Sequence, residues 1–118
     1  MTLDWRDFPD APDPGTILCD LDAVPESGVL AIDAGGFGVL ALWAAGAVRA
    51  YVNACPHQYL PLNHRSDRLH TADGAHLACT NHGAVFRSRD GVGTAGEGLG
   101  CALSPIPTEI RDGAVYIR

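Results

Sequence analysis

Asn53-Ala54-Cys55-Pro56-His57-Gln58-Tyr59-Leu60 (NACPHQYL, residues 53–60) closes an apolar run with a cysteine, a proline and a histidine in succession. Alone, the stretch reads either as a turn with incidental polar side chains or as half of a metal site. A second half exists: Cys79-Thr80-Asn81-His82 (CTNH), with 21 residues between His57 and Cys79. Each Cys–His couple ends a predicted strand and enters a loop of small or turn-forming residues. Two such loops at one end of a β-fold can close on a common centre, a frequent way of carrying a site on a rigid scaffold.

Outward from these couples the chain reads as short strands. TILCDL (16–21) and GVLAIDA (28–34) come first, then GFGVLALWA (36–44) and AVRAYVNA (47–54), which form a predicted hairpin around Ala45-Gly46. In the last of these, Val48, Ala50 and Val52 alternate with Arg49, Tyr51 and Asn53, which predicts one apolar and one polar face. RLHTA (68–72) and AHLAC (75–79) flank Asp73-Gly74, a two-residue hairpin signal. GAVFR (83–87) continues the pattern, and TEIRDGAVYIR (108–118) predicts a hairpin on Asp112-Gly113. Residues 1–15, with Pro9, Pro12, Pro14 and Gly15, predict an irregular lead-in. Residues 90–100, with five glycines, predict a loop without regular structure. Turn signals about every ten residues make the expected fold class all-β, a sandwich or barrel.

The 118 residues suit a single domain over 1–118. With 47% hydrophobic and 19% charged residues the chain is expected to be globular. No stretch approaches the roughly 20 apolar residues of a membrane span. The acidic start, with Trp5, Arg6 and Phe8, is unlike a secretory signal, so the expected location is cytoplasmic. A formal charge of −6 argues against nucleic acid as a partner and suits docking onto a basic protein surface. In that compartment four cysteines read as metal ligands or free thiols rather than disulfides.

Two Cys–His couples admit three readings: buried thiols beside surface histidines, a tetrahedral Cys₂His₂ zinc site, or a two-iron cluster. Structural zinc usually groups its cysteines in one knuckle and its histidines in another, whereas here each loop carries one of each. A two-iron cluster with cysteines on one iron and histidines on the other accounts for that mixing.

In these motifs, Cys55-Pro56-His57 and CTNHGAVF (79–86) with Gly83 directly after His82, the sequence resembles the Rieske [2Fe-2S] family. The likeness runs on through ALSPIP (102–107) and DGAVYI (112–117), so it spans roughly residues 16–118. It implies a Rieske-type antiparallel β-sandwich with a small cluster-binding subdomain, about residues 53–88, that carries two ligand loops. It implies a Rieske-type [2Fe-2S] cluster with Cys55 and Cys79 on one iron as thiolates and His57 and His82 on the other as neutral imidazoles. Two ferric ions, two sulfides and two thiolates then sum to zero charge, so reduction adds the first negative charge.

The implied function is that of a stand-alone ferredoxin: an electron carrier, not an enzyme, between a flavin reductase and an oxygenase-type acceptor. Two alternatives stand beside it, a Rieske-type small subunit of a reductase such as nitrite reductase, and a zinc-binding interaction module.

Several positions depart from the family's respiratory branch. Leu60 and Asn81 stand where that branch has a disulfide, and Ala84 and Phe86 where it has hydroxyl donors to the sulfurs. The expected reduction potential is therefore at the low end, about −150 mV. Gly96 is followed by Glu97 where related ferredoxins often carry Gly-Pro. Of the remaining residues, His64, His70 and His76 read as surface groups or neighbours of the ligands, and Cys19 and Cys101 as buried thiols. Trp5 and Trp43 read as core or edge packing. Tyr59, Leu60, Pro61, Leu62 and Phe86 read as an apolar cover over the cluster that contributes to a docking patch.

Overall fold

The run FGVLALWA becomes the central strand of the molecule, and it is apolar along its length because both of its faces are covered. In a computed structural model that describes residues 4–55, 61–63, 69, 75–79, 83–96 and 99–118, this strand is β3 (Phe37–Ala44). It follows β1 (Ile17–Asp20) and β2 (Leu30–Ala34) and precedes β4 (Ala47–Val52). Next come three short strands, β5 (His76–Ala78), β6 (Val85–Arg87) and β7 (Gly93–Ala95). The chain closes with β8 (Pro105–Ile106), β9 (Thr108–Arg111) and β10 (Ala114–Ile117).

These strands form three antiparallel sheets, ordered β1-β10-β9, β2-β3-β4-β8 and β5-β6-β7. The β-sandwich expected from the sequence is present. The β3–β4 hairpin turns on Ala45-Gly46 and the β9–β10 hairpin on Asp112-Gly113. Asp112 and Gly113 have φ of 51° and 77°, the left-handed pair that matches strand twist in a two-residue turn. The Asp73-Gly74 turn lies outside the described residues. Nearby, the Ala78 N–H donates to the Leu69 carbonyl at 2.7 Å.

Side chains alternate across β3 and β4, so the middle sheet feeds two cores. Phe37, Val39 and Ala41 with Ala50 and Val52 pack against Leu18, Val115 and Ile117 of the first sheet and against Trp5. Leu40 and Leu42 with Tyr51 point the other way, toward Leu77 and Phe86 of the small sheet and Leu103.

Three sequence expectations are corrected. The second face of β4 is not simply polar, because Tyr51 is only 2% exposed and its hydroxyl donates to the Ser88 carbonyl at 2.8 Å. The glycine-rich stretch 90–100 is not wholly irregular. Gly93–Ala95 pairs with β6 through a register shift, Val92 bridges Ala102, and the Gly93 N–H donates to the Cys101 carbonyl at 2.9 Å. Glycine is tolerated there because β7 is a short outer strand, held by β6 and by the Gly93 bond to Cys101. Finally, residues 5–7 of the lead-in form a 3-10 turn capped by Asp4, and the turn sets Trp5 into the first core.

Candidate metal centre

Both motif cysteines enter the second core. Cys55 and Cys79 are each 2% exposed and belong to one apolar cluster with Leu40, Leu62, Leu77 and Phe86. They come from different sheets, Cys55 following β4 and Cys79 following β5. None of the four cysteines is in a disulfide. His57 and His82 lie outside the described residues, as do His64, His70, Tyr59, Leu60, Asn81 and Glu97. No group of three or more potential metal ligands is assembled among the described residues.

The first loop leaves β4 under tight control. The Val52 N–H donates to the Ser104 carbonyl and the Asn53 N–H to the Gly38 carbonyl, both at 2.9 Å. The Ala54 N–H turns back to the Val52 carbonyl at 2.8 Å, which swings Cys55 out of the strand line and into the core. Across the mouth, Asn53 Oδ1 accepts the Leu62 N–H at 2.8 Å, and Asn53 Nδ2 donates to Asn63 Oδ1 at 2.9 Å.

The second loop is closed by backbone. The Cys79 N–H donates to the Ala84 carbonyl at 2.8 Å, and the Gly83 N–H donates back to the Cys79 carbonyl at 3.2 Å. Gly83 takes φ of 69°, a conformation that L side chains resist. Among the described residues an added Cβ at Gly83 would meet nothing within 4 Å, so backbone conformation explains this glycine, not crowding by protein. Crowding falls instead on Gly96, where a Cβ would stand 2.8 Å from the Gly83 carbonyl oxygen. The third loop thus presses directly on the second.

Tyr51 buttresses the same core from beneath. Gly91 packs on its ring, and burial pushes its phenol up to about 12.

Two elements of the expected docking patch are corrected: Leu62 and Phe86 are fully buried, so they pack behind the site and offer no surface, while Pro61 is exposed. Cys19 and Cys101 are half-buried, not core thiols: Cys19 lies on the outer strand β1 at a register shift, and Cys101 lies outside any strand. His76 sits half-buried on β5 opposite Arg87. Trp43 is 36% exposed, near the C-terminal end of β3 and not at a sheet edge. Reading the sequence overlooked Asn53 and Asn63 as a pair. The available signal was a polar residue two positions before the ligand cysteine, at the strand end.

The donor chemistry suits the family's cofactor. Two thiolates held in an apolar shell are costly unless cations neutralise them. An oxidised cluster with two thiolate and two imidazole ligands carries no net charge and fits such a shell.

A family model for the Rieske [2Fe-2S] domain matches residues 16–103. No curated protein sequence matches the chain. Among solved structures, a ferredoxin from Sphingomonas yanoikuyae B1 is similar with a TM-score of 0.70 at 23% identity, over 87% of this chain and 96% of that one. The ferredoxin of carbazole 1,9a-dioxygenase from Nocardioides aromaticivorans IC177 gives 0.71 at 19% identity, over 89% and 97%. The terminal oxygenase of the same system gives 0.71 at 19% identity, with 86% of this chain spanning 29% of that one. Sheet order, the two cysteines in one apolar shell and the family match agree: the chain belongs to the Rieske [2Fe-2S] domain family, whose cofactor is a Rieske-type [2Fe-2S] cluster.

Proposed function

We propose that this protein is a one-electron carrier, a ferredoxin in the functional sense, with its cluster held by Cys55 and Cys79 on one iron and by His57 and His82 on the other. The observation that carries the reading is the convergence of Cys55 and Cys79, from separate loops, in one buried apolar shell. When bound, the cluster supplies reversible one-electron chemistry. The chain's contribution is to bury the two sulfurs and keep water from them with Leu62, Leu77 and Phe86.

An apolar shell disfavours added charge, and Ala84 and Phe86 donate no hydroxyl hydrogen bonds. Both features support a potential near the low end, about −150 mV. The two ferredoxins above match nearly end to end, which supports a carrier rather than a catalytic subunit. The proposed donor is a flavin reductase, and the proposed acceptor is an oxygenase of the kind named among the structural neighbours. Among the described residues no helix is long and apolar enough to cross a membrane.

The test is the visible and EPR spectrum of protein purified without air, before and after dithionite. Red-brown protein with an EPR signal that appears only on reduction is expected, and His57→Ala or His82→Ala should abolish it. Colourless, EPR-silent protein with stoichiometric zinc would overturn the proposal.

A further inference from the structure

Asn53 is the last residue fastened to the middle sheet before the chain enters the first ligand loop. Its N–H is bound to the Gly38 carbonyl, and Gly38 leaves room for it: a Cβ at position 38 would come within 3.3 Å of the Asn53 Cβ. From this anchored backbone the carboxamide reaches across the loop mouth. It accepts from the Leu62 N–H and donates to Asn63 Oδ1, at 2.8 and 2.9 Å. Among the described residues the ends of the second loop are joined by Cys79, Gly83 and Ala84 backbone bonds. Only a side chain with an acceptor and a donor on one planar group can make both contacts of the first loop.

We propose that Asn53 is the positioning residue of the first ligand loop: its two-armed bridge to Leu62 and Asn63 fixes Cys55, two residues on, and thereby sets how firmly the cluster is retained and how uniform its ligand geometry is. The proposal rests on the cluster reading above. Without the bridge, closing the loop at 54–61 loses two fastenings and costs more entropy. Leu62 is buried, and truncating Asn53 removes the acceptor its N–H uses. Such a loop samples several geometries around one sulfur and opens more often to water and oxidant.

The bonds are of ordinary strength, so losing one shifts loop opening about fivefold and losing both about thirtyfold. Protein purified with its cluster is exposed to air and a ferrous chelator, and the decay of visible absorbance is timed. EPR linewidths of the reduced cluster are recorded alongside. Asn53→Ala should lose its cluster about thirtyfold faster than the native chain, with broadened EPR lines. Asn63→Ala, which breaks one arm, and Asn53→Asp, which keeps the acceptor for Leu62, should each fall near fivefold. Decay within twofold of native for Asn53→Ala, with native linewidths, overturns the proposal. If Asn53→Ala yields no folded protein, Asn63→Ala decides on the same thresholds. A native chain that takes up no iron refutes the electron-carrier reading itself, a result distinct from a fully loaded native chain matched by its variants.

Discussion

The two cores of this small protein are built by different means. The first lies between the sheets and is closed by long, well-registered strands: β2 and β3 share five residue pairs, and β3 and β4 share six. The second lies between the middle sheet and strands of three residues, and loop residues such as Leu62, Leu69 and Leu103 complete it. Both cysteines of the ligand motifs are in the second. The first core is thus secured by its own ladders and aliphatic packing, while the second is designed around a group that the chain must capture. Marginal local structure and a cofactor that crosslinks it are expected to go together.

The largest expected effect tests that division directly. Removing the cluster with a chelator under reducing conditions should raise hydrogen exchange at Leu77, Ala78 and Phe86 by at least about tenfold, while Val39 to Ala41 stay protected. Uniform loosening of both regions would show that the cores are one cooperative unit.

Core truncation sharpens the contrast. Phe86→Ala in the second core and Ile117→Ala in the first should cost about 3–5 and 2–5 kcal/mol in denaturant unfolding. Only Phe86→Ala should also lower iron content per chain.

Two smaller effects probe the supports of the second core. Gly96→Ala forces a Cβ toward the Gly83 carbonyl and should destabilise by about 1–3 kcal/mol, with a shift in the EPR signal because the second ligand loop must move. Tyr51 has a folded value near 12 against about 10 unfolded, so its contribution is complete below pH 10 and is lost as pH rises toward 12. Stability should fall by about 1.4 kcal/mol per pH unit in that window, and Tyr51→Phe should flatten the slope. The smallest change is Arg87→Ala, which breaks the 2.7 Å ion pair with Asp90 on a partly exposed turn and should cost no more than about 1 kcal/mol.

Much of this arrangement was legible in the sequence. Strand positions followed from alternation and from the turns at Ala45-Gly46 and Asp112-Gly113, where local backbone preference and strand twist agree. The spacing and mixing of the Cys–His couples pointed to the family, since few other chemistries use one cysteine and one histidine per loop. Local pattern failed where contacts came from far along the chain. Tyr51 reads as polar in its strand, but a carbonyl 37 residues away satisfies its hydroxyl and permits burial. Residues 93–95 read as loop, but β6 and Cys101 supply the bonds that make them a strand.

By itself, then, the sequence determined the all-β class, the two ligand motifs and the family, because these depend on residue type and short-range order. Only the tertiary structure decided that β3 and β4 serve two cores, that Leu62 and Phe86 are interior walls, and that Asn53 clamps one loop while Gly96 presses on the other. Those outcomes depend on which faces meet and which buried polar groups find partners, and non-local contacts set both.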